Sequence, residues 1–413
     1  MKVDIQTLGT FDRLTREGAD RAAKNLGILM GSTPKVEATS IDLLTREDVI
    51  ADFRGRELVG SFVQVEGLLE AQALLLFDQT GAKTLLKNLQ KSNDDGERDT
   101  GGRIEEVGNI LLNGFIDGWA DHLNTPLVSS PPQSVSGTGT NVLPGDAFSG
   151  VNTERLIAFT STMETTKAAV NATVYLFPKD DSFREILSRE IVDGSTPIPL
   201  DKLHIFKHMM EHGTKQASEN ISMMTGVDTT VDVSRLSFMP IERTFTKVND
   251  DVRVGVVFSL DGLPSGYLMI LFDEQSARTV AEQMGAGEAG FEFEGMQRSA
   301  IEELANIMTS GFIDGWANVL ETSITHTSPE FVHDLAPAIL NQVAGPLAEE
   351  QRYVFVFDSM IQTVDRTVTC ELLTLPDGDE LTRALKELDV QETTQGAIDT
   401  LVTNAEANTD DVF

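Results

Sequence analysis

The sequence predicts an α+β protein built from two tandem copies of one domain, each an antiparallel sheet flanked by long helices. Three observations predict it. Segments recur in one order at a spacing of 195 to 198 residues along the 413-residue chain. Paired apolar runs rich in Val, Leu, Ile and Phe, separated by Gly or charged turns, read as hairpins of an antiparallel sheet. Between them lie long stretches whose apolar residues return every three or four positions, as amphipathic helices require.

The repeat decides the domain organisation. EEVGNILLNGFIDGWADHL at 105–123 returns as EELANIMTSGFIDGWANVL at 302–320, with Gly114 to Ala120 identical to Gly311 to Ala317. Upstream, LLLFDQTGAKTLLKNL (74–89) answers MILFDEQSARTVAEQM (269–284), and NLGILMGSTPKVEATS (25–40) answers NISMMTGVDTTVDVSR (220–235). Downstream, TVYLFP (173–178) answers ELLTLP (371–376). Such order at nearly constant spacing points to duplication, with copy one at 1–195 and copy two at 196–390. The boundary falls near Gly194-Ser195-Thr196-Pro197-Ile198-Pro199, where prolines and a glycine interrupt the apolar period. An acidic, Thr/Asn-rich tail at 391–413 matches nothing in copy one.

Each copy reads as helix, two strands, helix, longer helix, loop, two strands, helix, with helices on one side of the sheet. The strands of copy one are SFVQVEGLLEAQALLLFD and RLIAFTSTMETTKAAVNATVYLF. Those of copy two are VRVGVVFSL, YLMILFD, YVFVFDSMI and RTVTCELLTL. SGTGTN around Gly137 and Gly139 reads as a flexible loop, since no Gly-Lys-Ser/Thr follows to make a phosphate cradle.

Composition narrows the function. The length suits two cores of roughly 200 residues each. Hydrophobic residues at 40% against 23% charged give a globular balance. Neither a run of about 18 apolar residues nor the basic-then-apolar order of a signal peptide appears, so the expectation is a cytosolic protein without membrane insertion. The lone Cys370, in the strand-like RTVTCELL, excludes an internal disulfide and a thiolate zinc cage and reads as a small core residue. The net charge of −33 would repel phosphate backbones and anionic headgroups, which argues against nucleic acid and membrane surfaces as partners. Acidity spread along the whole chain looks like the surface of a protein working in a high-salt cytoplasm, where salt screens repulsion over a few ångströms.

The helix that could carry chemistry is SAIEELANIMTSGFIDGWANVL. Ile301, Leu304, Ala305, Met308, Phe312 and Trp316 form its buried stripe, which leaves Glu303, Asn306 and Ser310 together outside. In copy one, Val107, Leu111, Phe115 and Gly118 turn inward while Glu106, Asn109 and Asn113 stack outside. An acid and a carboxamide at i, i+3 can reach one external ligand together. One such pair is ordinary solvated helix surface. Here it occurs twice, and in both copies a proline follows the Asn after 22 intervening residues, Pro132 and Pro329.

These residues resemble the CheC/CheX/FliY family of chemotaxis phosphatases, whose motif is Asp or Ser, three residues, Glu, two residues, Asn, 22 residues, Pro. Ser299, Glu303, Asn306 and Pro329 fit at every position, whereas Gly102, Glu106, Asn109 and Pro132 depart at the first. That departure bears on helix capping or a partner contact in copy one and leaves the two reactive side chains. Nearly the whole chain is covered, each copy looking like one CheC-type domain, and the acidity suits a haloarchaeal source. A second motif expected on the N-terminal helix is absent, since the corresponding stretches read Glu17-Gly18-Ala19-Asp20 and His212-Gly213-Thr214-Lys215. One site per copy remains.

The resemblance implies a cytoplasmic phosphatase that removes the aspartyl phosphate from a CheY-type response regulator and so ends a signal to the archaellum motor. Asn306 and Asn109 would hold the attacking water, and Glu303 and Glu106 would pair with the regulator's lysine. No cofactor or metal is implied on this chain; Mg²⁺ is expected on the phosphorylated partner. CheD, the receptor-glutamine deamidase, is implied as a further partner. The rival reading is a non-catalytic adaptor for the regulator, CheD or motor-switch proteins.

Other features read more blandly. His204, His208 and His212 at i, i+4, i+8 could coordinate a metal, but without a completing acid or thiolate they read as an exposed polar stripe. Trp119 and Trp316 read as packing, and Asp117 and Asp314 as caps or loop contacts. No Ser-His-Asp arrangement can be placed.

Overall fold

The computed structural model describes residues 1–32, 34–92, 100–144, 148, 151, 153, 155–165, 170–190, 197–247, 251–287, 293–320, 322–363 and 368–388. The acidic tail and the boundary residues Gly194 to Thr196 lie outside the described residues.

The first half runs β1 (Lys2–Val3), α1 (Ile5–Met30), β2 (Pro34–Leu44), α2 (Arg46–Phe53), β3 (Glu57–Glu66), β4 (Ala71–Asp78), α3 (Gln79–Ser92) and α4 (Thr100–Leu123). It continues with β5 (Val128–Ser129), β6 (Gln133–Thr138), a 3₁₀ turn at Gly139–Val142, β7 (Leu156–Thr165), β8 (Asn171–Pro178) and α5 (Asp180–Glu190). The second half follows the same course, except that the 3₁₀ turn and the short covering helix exchange places, with β9 (Ile198–Pro199), α6 (Leu200–Thr225), β10 (Thr229–Pro240), a 3₁₀ turn at Ile241–Lys247, β11 (Val252–Asp261), β12 (Gly266–Asp273), α7 (Glu274–Gln283) and α8 (Met296–Leu320). It ends with β13 (Thr325–His326), β14 (Glu330–Leu335), α9 (Ala336–Glu350), β15 (Tyr353–Thr363), β16 (Thr369–Pro376) and α10 (Gly378–Glu387).

Local chemistry sets the ends of the long helices. Asp4 caps α1 by accepting from the Thr7 amide at 2.9 Å, and α1 stops at Gly31, whose φ of 60° a side-chain-bearing residue adopts only at a cost. Gly226, φ 72°, ends α6 in the same way.

The two halves share one antiparallel sheet of 14 strands among the described residues, with β2 and β10 paired at its centre. These two strands were missing from the sequence reading. A bulge between Val36 and Ala38 in one and between Val231 and Val233 in the other breaks the period of two. Several of their inward positions are polar and yet buried, among them Thr39, Ser40, Asp42, Ser234 and Ser237.

The long helices α1, α4, α6 and α8 lie on one face. Their apolar stripes and the facing strand residues form a single hydrophobic cluster that runs through both halves, from Phe11, Trp119 and Phe159 to Phe206, Trp316 and Phe357. Two separate cores are therefore not what forms on this face, because central pairing of β2 with β10 makes the layer beneath the helices continuous. Nor is the opposite face bare. Val49 and Phe53 of α2 cover it in the first half, packing on Leu74, Leu76 and Phe177. Ile339, Leu340 and Val343 of α9 cover it in the second, over Met269, Leu271 and Val356. Gly137 falls in β6 and Gly139 begins a 3₁₀ turn, so SGTGTN is ordered structure rather than a loose loop.

Candidate functional site

Each candidate pair stands on a helix locked to its neighbour by the same contacts. A Cβ on Gly18 of α1 would lie 2.6 Å from the Phe115 carbonyl oxygen of α4, and one on Gly213 of α6 would lie 2.8 Å from that of Phe312 of α8. Glycine there lets the backbones approach. Two turns further along α1 and α6, Asn25 Nδ2 donates to the Ile110 carbonyl at 3.1 Å, and Asn220 Nδ2 donates to that of Ile307 at 3.3 Å. Trp119 stacks with Phe11 at 5.9 Å between ring centroids, and Trp316 meets Phe206 at 5.7 Å. Both indoles are fully buried packing residues.

These contacts hold the inward faces and leave the outward ones to solvent. Ile301, Leu304, Ala305, Met308, Phe312 and Trp316 are all buried, while Ser299, Glu303, Asn306 and Ser310 are exposed. Val107, Leu111, Phe115 and Gly118 are buried, while Glu106 and Asn109 are exposed and Asn113 is half-buried. Residues three apart on a helix have Cβ atoms about 5–6 Å from each other, so each acid and amide can meet one visiting group.

The two pairs differ in what already engages them. Asn113 Nδ2 donates to Asn109 Oδ1 at 2.9 Å, and Ser129 Oγ of β5 donates to Asn113 Oδ1 at 2.7 Å. In the second half Ser310 turns its hydroxyl back to the Asn306 backbone carbonyl, 2.9 Å away. No hydrogen bond or ion pair among the described residues engages the Glu303 carboxylate or the Asn306 carboxamide.

Pro132 and Pro329 are half-buried and immediately precede the edge strands β6 and β14, which pair with β3 and β11. A residue without an N–H suits the start of an edge strand. Ser299 is the fourth residue of α8, so it does not cap that helix. Gly102 is exposed, and a Cβ there would meet nothing within 4 Å, so packing does not demand the glycine.

On α1 and α6, Glu17, Asp20, His212 and Lys215 are exposed. The three histidines do not form one exposed stripe: His204 is only 2% exposed, and neither ring nitrogen finds a partner among the described residues. Burial, assisted by the nearby Lys207 ammonium, pushes its pKa down to about 3. Position 204 lies on the face of α6 turned into the protein, as Gly9 does on α1, where Tyr353 fills the space. His208 and His212 are exposed, with His208 Nδ1 2.8 Å from Glu211 Oε2. No group of three or more His, Cys, Asp or Glu among the described residues could hold a metal ion. Asp117 and Asp314 are exposed on α4 and α8. Cys370 is buried, and burial drives its thiol pKa well up. Among the described residues no helix is long and apolar enough to cross a membrane.

Ser129 was the one member of these clusters that sequence reasoning missed. It reaches Asn113 from 16 residues away, across the turn out of α4, and no periodicity connects the two.

The model of the CheC-like family matches residues 296–333, which span α8 and most of β14. A relative from Halobacterium salinarum (strain ATCC 29341 / DSM 671 / R1), named "Putative CheY-P phosphatase CheC1", is 34% identical over 185 residues, or 44% of this chain and 94% of the relative. Among solved structures, Thermotoga maritima FliY is 15% identical, covering 46% of this chain and 98% of its own, with a TM-score of 0.37. The CheX-CheY-BeF3-Mg+2 complex from Borrelia burgdorferi is 15% identical, covering 41% of this chain and 97% of its own, with a TM-score of 0.28. At that identity and coverage of the Halobacterium relative, this chain belongs to the CheC-like family.

Proposed function

We propose that this chain is a phosphatase that hydrolyses the aspartyl phosphate of a CheY-type response regulator in the cytosol. What supports the reading above all is Glu303 and Asn306, side by side on the open face of a well-packed helix and engaged by no other described residue. Glu106 and Asn109 form the corresponding pair.

The residue types suit the chemistry. A carboxamide neither gains nor loses a proton near neutral pH, so Asn306 acts by position: its oxygen accepts from a water whose lone pair then points at phosphorus. The water oxygen bonds to phosphorus as the bond from phosphorus to the aspartyl oxygen breaks. The electron pair leaves on the regulator's carboxylate, and both water protons end on the released phosphate. A carboxylate would repel the phosphoryl oxygens, so Glu303 serves by pairing with the partner's lysine ammonium, which sets the docking register. Mg²⁺ bound by the regulator neutralises phosphoryl charge, and no ion on this chain is required. CheD and motor-switch proteins are further partners within the same reading.

The test is the decay of phosphorylated regulator with wild type, Asn306→Ala, Asn109→Ala and the double variant. Losing the positioned water is expected to slow the affected site about 10²-fold. Decay with wild type at the rate of the regulator alone would favour the adaptor.

A further inference from the structure

The two sites present the same acid and amide but not the same supports, and the difference is specific. In the first half a relay runs from Ser129 Oγ to Asn113 Oδ1 at 2.7 Å and from Asn113 Nδ2 to Asn109 Oδ1 at 2.9 Å. At the matching positions of the second half stand Ser310 and His326. Ser310 bonds to its own helix backbone, and His326 Nδ1 lies 3.0 Å from the Thr327 carbonyl while its ring meets Phe258 edge-on at 5.2 Å. Neither reaches the Asn306 carboxamide.

We infer that Asn113 and Ser129 are positioning residues of the first site, holding the Asn109 carboxamide in one orientation, and that the second site works without such a support. The inference rests on the phosphatase reading. An exposed asparagine samples several rotamers, and a carboxamide that must orient a water loses that freedom on reaching the transition state. The relay takes the loss beforehand. It leaves catalysis possible, because a carboxamide oxygen has two lone pairs and Asn113 occupies only one. Asn113 and Ser129 are half-buried and so is the bond between them, whereas the bond from Asn113 to Asn109 lies at the exposed end. A chain of hydrogen bonds that begins on the sheet-edge strand β5 thus fixes a group on the open face of α4.

The test uses the full chain with Asn306→Ala, so that only the first site turns over. Asn113→Ser, which installs the second half's residue, and Ser129→Ala are each expected to lower kcat about two- to tenfold with KM unchanged. Ser129→Thr, which keeps the hydroxyl, restores it. In the side-chain amide region of a ¹H–¹⁵N spectrum, the Asn109 NH₂ pair is expected to be ordered in wild type and mobile in Asn113→Ser. Conversely, Ser310→Asn with His326→Ser, in the Asn109→Ala chain, raises the second site's kcat. The inference is overturned if kcat and the Asn109 signals are unchanged by Asn113→Ser, or if the first site shows no turnover while the second does. If both Asn109→Ala and Asn306→Ala leave decay at the regulator's own rate, the phosphatase reading fails with it.

Discussion

Ser237 donates its hydroxyl to Asp42 Oδ1 at 2.7 Å, and the two residues, 195 positions apart, are each other's counterparts in the two halves. They are also direct partners where β2 meets β10, flanked by Leu43 with Leu236 and Ile41 with Phe238. A local twofold relation therefore passes through this pair. Away from it, contacts come in twos with their charges reversed. Lys207 of α6 reaches Asp48 of the first half at 2.9 Å. Asp12 of α1, the counterpart of Lys207, feels Arg243 of the second half, the counterpart of Asp48. A first half facing its own copy would set Asp42 against Asp42 and Asp12 against Asp48, so the junction discriminates between unlike and like halves.

Replacing Ser237 with alanine tests the central pair. Asp42 is 1% exposed and also accepts from Ser40 Oγ at 3.0 Å. Losing one donor to a buried carboxylate is expected to destabilise the chain by about 1.5–3 kcal/mol, read from urea unfolding at high salt. An unchanged midpoint would mean that solvent or another group replaces the hydroxyl.

Lys207→Met tests the flanking pair. The lysine is fully buried, and its ammonium contacts both Asp48 and Glu211. Methionine fills the space but leaves two carboxylates without their cation, at an expected cost of about 3 kcal/mol. Because buried pairs are poorly screened, the loss should persist in molar salt. Neutralising Asp48 and Glu211 as Asn and Gln in the same chain is expected to recover most of it.

Two buried groups give opposite pH dependence. Burial pushes the Asp12 carboxyl up to about 6, against the pull of Arg243, Arg16 and Arg352 and a 3.1 Å hydrogen bond from Thr39. The folded state then holds the proton more tightly than the unfolded, so Asp12 disfavours folding above pH 6 and ceases to as pH falls toward 3.8. His204, pushed down to about 3, acts in reverse: its contribution is complete above 6.5 and is lost as pH falls through that range. Asp12→Asn is expected to raise stability at pH 7 by up to about 3 kcal/mol and to steepen the decline on acidification. His204→Leu flattens that decline. Thermal unfolding followed from pH 4 to 8 separates the two, and identical profiles for all three proteins would contradict both assignments.

How much of this was legible in the sequence depends on whether a residue's neighbours are local. The stripe from Ile301 to Trp316 follows from helical spacing alone, and so does the exposure of Glu303 and Asn306 opposite it. The hairpins β3–β4 and β11–β12 follow from alternation and tight turns. The strands β2 and β10 do not: their bulges break the period, and Asp42 and Ser237 look like surface residues until each is seen to satisfy the other. The prolines Pro337 and Pro346 and the glycine between them concealed α9, although Pro337 sits in the first turn, where no N–H is needed. His204 reads as part of an exposed series only while its helix is considered alone.

Turnover of the phosphorylated regulator is the central claim. With this protein at a small fraction of the concentration of acyl-phosphorylated regulator, continuous measurement of released phosphate is expected to give many equivalents per chain, at a rate that Asn109→Ala with Asn306→Ala returns to that of the regulator alone. Release that never exceeds the regulator's own rate with wild type, or that survives undiminished in the double variant, would contradict it.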